Sequence, residues 1–134
     1  MKIKNETEIL ANICKHLRDQ ITVGEGKIVK FRAKLDDEKK GMAHAFGWSQ
    51  DAFAGSASIA VSQRLLNHIH NGGDNVTVGA IKLMVQAQVS KAAMYFPQSS
   101  SVTSNLMDQF RGRVWAETLE YIEHCIEWNE RVSA

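Results

Sequence analysis

The strongest constraint in this sequence lies near its end. From about residue 104 to 132, apolar and acidic side chains separate onto opposite halves of a helical wheel. Leu106, Phe110, Val114, Trp115, Leu119, Ile122, Ile126, Trp128 and Val132 are among those in one half. Glu117, Glu120, Glu123, Glu127 and Glu130 fill the other, and Arg111 is a charge inside the apolar half. A helix of this length cannot bury its apolar half alone, so the rest of the chain must supply partners.

The partners are drawn from a small budget. The chain has 134 residues, 44% of them hydrophobic and 23% charged, with a single proline. That suits one domain, residues 1–134, able to form its own core without disulfides or metals. Asn5-Glu6-Thr7-Glu8 reads as a capping box, and Ile9, Ile13 and Leu17 follow at four-residue spacing. The spacing predicts an N-terminal helix over about 5–20. Gly24-Glu25-Gly26 then breaks the pattern, and Val29, Phe31, Ala33 and Leu35 alternate with Lys30, Arg32 and Lys34. Alternation after a Gly-rich turn predicts a β-hairpin over about 21–35.

Further helices are expected over about 50–71, with Ser49 as cap and Gly72-Gly73 as stop, and over about 78–96. The second of these is apolar on nearly every side, which predicts burial all round. The expected fold class is therefore α+β, mainly helical: an N-terminal helix, one hairpin and three further helices.

Charge is unevenly placed along the chain. Residues 27–40 carry six basic and three acidic side chains, residues 41–104 only five charges, and residues 105–134 three basic and six acidic. The neutral middle reads as core together with a homo-oligomer interface, because obligate interfaces resemble a divided core.

No motif carries chemistry with high specificity. His68 and His70 are two apart, and His124 pairs only with Glu120, so neither spacing makes a zinc site. Cys125 falls in the apolar half of its helix and reads as an inert thiol; with Cys14 it is expected to be a reduced pair. No serine lies in a nucleophile elbow, and Gly72-Gly73-Asp74-Asn75 is acidic where a phosphate loop is not. Neither a catalytic residue, a metal site nor a cofactor is expected.

No stretch is apolar enough to span a membrane, and the N-terminus lacks a signal-peptide pattern, so a cytoplasmic location is expected. The function expected from this pattern is non-catalytic binding of another protein, as an inhibitor, adaptor or regulator, by a homo-oligomer. Its contact surface would be Glu117, Glu120, Glu123, Glu127 and Glu130, or the basic hairpin; Trp48, Trp115 and Trp128 are of the type that anchors interfaces, though each taken singly reads more simply as a roof on the core. The alternative is nucleic-acid binding by the basic hairpin region through Lys27, Lys30, Arg32, Lys34, Lys39 and Lys40.

Overall fold

A computed structural model of the chain describes residues 5–37, 48–93 and 102–133. They form four helices: α1 (Glu6–Leu35), α2 (Ser49–Gly72), α3 (Val78–Ala93) and α4 (Val102–Ser133), with a short 3₁₀ turn, Gly73–Asn75, between α2 and α3. No strand occurs among the described residues, so the fold is all-α and the expected α+β class is corrected. The segment 21–35 is not a hairpin; it completes one 30-residue helix.

The Gly24-Glu25-Gly26 sequence explains both the expectation and its failure. Gly24 is buried where α1 crosses α2. A Cβ added to it would lie 2.5 Å from the carbonyl oxygen of Gly55, and a Cβ on Gly55 would lie 2.6 Å from that of Gly24. Both residues are bare because the two backbones touch. Glycine costs a helix interior about 1 kcal/mol against alanine, and close packing at the crossing offsets that cost. On the helix, Ile28 and Phe31 continue the side that Ile13 and Leu17 bury, whereas Val29 is 63% exposed. The strand-like alternation is thus a coincidence of spacing.

Helices α1 and α2 run antiparallel. Lys34 reaches Trp48 at one end of their contact, and at the other Ser62 donates a 2.8 Å hydrogen bond to Gln20 Oε1. Helix α4 is antiparallel to α1, with Asn129 beside Asn5 and Tyr121 beside Asn12. It packs more extensively on α3 and α2. One core cluster draws on all four helices, and Ile13, Leu17, Leu65, Ile81 and Ile122 are its fully enclosed large side chains. Burying each is worth about 1.5–3 kcal/mol.

Helix ends correct the sequence reading in detail. Asn5 has φ 55° and makes no side-chain cap; its carboxamide donates to Asn129 Oδ1 at 3.2 Å. Glu6 instead accepts the Val78 N–H at 2.7 Å, and Thr77 Oγ1 accepts that of Ala80, so the start of α3 is capped partly from α1. Trp48, not Ser49, occupies the N-cap position of α2. Gly73, at φ 55°, ends α2 in a conformation that favours glycine, as expected. Helix α3 is not buried all round. Val78, Ile81 and Val85 face the core, but Leu83 is 69% exposed. Residues 94–96, expected to extend it, lie outside the described residues.

Candidate functional site

The five glutamates lie on one side of α4. Glu117, Glu120, Glu127 and Glu130 are exposed on α4 and Glu123 is half-buried. At 100° per residue they occupy an arc of roughly 140°. Arg131 lies 4.0 Å from Glu127, but both side chains are largely in solvent, so this pair contributes about 0–1 kcal/mol and leaves the arc acidic.

Two apolar side chains adjoin the Glu117 edge of that arc in angle, with Glu127 and Glu130 roughly 100° and 160° round the helix from Trp128. Trp128 is 61% exposed and Val132 65%, one turn apart at the end of α4. Trp115, by contrast, is only 5% exposed. The two tryptophans of this helix therefore serve different purposes, one filling the core and one presented to solvent.

Trp128 also lines an open cleft of about 430 Å³ between the start of α1 and the end of α4. Glu8 and Asn12 contribute from α1, and Tyr121, His124 and Cys125 from α4. The Tyr121 hydroxyl donates to the Asn12 carbonyl at 3.3 Å, and its ring stacks on His16 with centroids 3.8 Å apart and 7° between planes. Burial, reinforced by its contact with Cys125, pushes the Tyr121 phenol up to about 12. Burial also raises the Cys125 thiol and lowers His16, against the pull of Asp19 and Glu117. His16 Nε2 is buried without a hydrogen-bond partner.

These three groups do not form a catalytic set. A cysteine nucleophile needs a depressed pKa or a base aimed at its sulfur. Cys125 is shifted the opposite way, and the imidazole meets Tyr121 face to face. Cys125 and Cys14 are both free thiols. His68, His70 and His124 are exposed and do not converge. Among the described residues, no three His, Cys, Asp or Glu side chains are placed to hold a metal ion.

The basic set is rearranged by the correction to the fold. On α1, Lys27, Lys30 and Lys34 share an arc of roughly 60°, while Arg32 points to the opposite side. Lys30 and Arg32 are exposed, Lys27 is half-buried beside Gly55, and Lys34 lies 4.9 Å over the Trp48 ring. Lys39 and Lys40 lie outside the described residues. The expected ribbon, with Lys30, Arg32 and Lys34 on one face, is therefore replaced by a helical stripe without Arg32.

Sequence reasoning marked the glutamates, did not separate the exposed Trp128 from the buried Trp115, and missed the cleft with α1. Its signal would have been the pairing of two helix ends, which no single-helix wheel reveals. Among the described residues, no helix is long and apolar enough to cross a membrane. No protein-family model matches the chain, nor does any curated protein or solved structure.

Proposed function

We propose that this chain is a non-catalytic protein-binding module that acts as a homo-oligomer and seats a basic segment of another protein on the end of α4. The observation that carries this reading is the exposed Trp128, with Val132 one turn on, beside the acidic arc and at the mouth of the α1–α4 cleft. Large aromatic anchors ringed by charge are the usual energetic centres of protein interfaces. The glutamates select a basic partner and speed encounter, while Trp128 supplies the apolar contact. Self-association is supported by Leu83, Val23 and Val29, apolar residues left at 69%, 59% and 63% exposure on α3 and α1.

The test is paired capture from nuclease-treated native lysate, using the wild-type chain and the triple variant Glu127→Lys, Glu130→Lys, Trp128→Ser. The expected result is one stoichiometric basic protein held by the wild type and lost by a variant that still folds. A partner retained equally by both would move the interface elsewhere and defeat the proposal. Sedimentation equilibrium tests the oligomer separately: a wild-type monomer across the working concentration range would remove that half of the reading.

A further inference from the structure

A second open cleft, about 730 Å³ in volume, lies between α3 and α4 and reaches the side of α2. Four cations line it: Arg64 from α2, Lys91 from α3, and Arg111 and Arg113 from α4. Asp108 is the one carboxylate among the lining residues, and it already meets Arg111 at 3.4 Å. The cleft therefore carries a surplus of three positive charges in a chain whose formal charge is +1. Composition does not dictate this: residues 41–104 hold five charges in all, yet Arg64 and Lys91 both come to this place.

Two of the guanidinium groups are held in position without being neutralised. Arg64 lies over the Trp115 ring, 5.8 Å from its centroid, and Arg113 over Phe110 at 5.3 Å. An aromatic face orients a guanidinium and leaves its N–H donors free to point outward. Among the described residues, no carboxylate pairs with Arg64, Lys91 or Arg113. Small residues let α3 and α4 approach closely at the floor of the cleft. Gly112 faces Ala92 so closely that an added Cβ would lie 3.0 Å from the alanine methyl.

We propose that this cleft binds the phosphodiester backbone of nucleic acid, without sequence preference. Planar, pre-oriented arginines match phosphate oxygens. The cations are exposed and the cleft is open, which suits a strand passing across it better than a small ligand that must be mostly enclosed. Trp115 is 5% exposed and covered by Arg64, so it offers no stacking platform for a base. Recognition is therefore confined to the phosphates.

The test is fluorescence anisotropy with labelled mixed-sequence oligonucleotides, single-stranded and duplex, across a salt series. Binding should ignore sequence and weaken linearly in log–log form as salt rises. Arg113→Gln should reduce that slope by about one, as loss of a single phosphate contact does. Arg111→Glu with Arg113→Glu should remove binding at physiological salt while circular dichroism stays that of the wild type. If the double reversal unfolds the chain, Lys91→Glu alone, on an exposed helix end, replaces it and should cut affinity severalfold. Lys27→Glu with Lys30→Glu and Lys34→Glu should leave binding intact, as should the Trp128 triple variant, which separates this site from the protein-binding one. The proposal fails if no oligonucleotide binds at low salt, if the α1 lysines rather than the cleft arginines control binding, or if anionic phospholipid vesicles bind and oligonucleotides do not.

Discussion

Helix α1 meets its two antiparallel neighbours in opposite ways. Against α2 its closest approach is bare: Gly24 and Gly55 bring backbone to backbone, with only the Lys27 stem beside them. Against α4 it presents rings and amides, with His16 stacked on Tyr121 and Asn5 bonded to Asn129. The first contact depends on what is missing from the sequence, the second on groups whose charge can change. One should respond to volume alone and the other to pH.

The largest expected effect tests the first contact. Gly24→Ala and Gly55→Ala each place a methyl against a carbonyl oxygen of the opposing backbone, which no rotamer change can relieve. Overpacking costs about 1–3 kcal/mol, and a clash with rigid backbone falls in the upper part of that range, about 2–3 kcal/mol, of which the gain in helix propensity offsets about 1 kcal/mol. We expect each to destabilise the fold by roughly 1–2 kcal/mol in urea unfolding. One separation of the helices would accommodate both methyls, so the double variant should cost less than the sum of the two. A neutral Gly24→Ala would show that the backbones do not touch.

A smaller effect of opposite sign is expected two residues away. Gly26 is exposed, and nothing lies within 4 Å of a Cβ built on it. Gly26→Ala should stabilise the chain by about 0.5–1 kcal/mol by restricting the unfolded backbone and favouring helix. This substitution also separates helix from hairpin. In a glycine turn with positive φ, alanine would destabilise, so a loss of stability here would restore the strand reading.

The same two glycines mark the limit of what a sequence shows. The last helix was legible because its period persists over some eight turns, and only a helix separates Glu117–Glu130 from Val114, Ile122 and Ile126. Residues 21–35 carry two periods at once. Val29, Phe31, Ala33 and Leu35 alternate as a strand would, while Gly24, Ile28 and Phe31 continue the helical stripe of Ile13 and Leu17. Gly24 decides between them, and its role depends on Gly55, thirty-one positions later. The acidic arc could be read from one helix. The cationic cleft could not, because Arg64, Lys91 and Arg113 come from three helices, and Arg111 registered only as an exception on its wheel.

The smallest expected effect tests the second contact. His16 loses its proton more readily in the fold than at its ordinary value of 6.5, because burial opposes the charge; Asp19 and Glu117 oppose that shift, and the Tyr121 phenol stacked on it, like the Cys125 thiol beyond that ring, remains neutral near pH 7. The unfolded chain therefore binds the His16 proton first as pH falls. Stability rises with pH in that window, is complete above 6.5, and is lost as pH drops toward the folded-state value. His16→Phe keeps a ring for Tyr121 and removes both the titration and the unpartnered Nε2. Urea unfolding at about pH 7.5 and about pH 5.5, above most carboxylate titration, should show a wild-type decline that this variant reduces. The destabilisation caused by Gly24→Ala should be the same at both pH values, because backbone volume does not titrate. If His16→Phe keeps the full wild-type decline, His16 is not the titrating group, and the α1–α4 contact is as indifferent to pH as the glycine crossing.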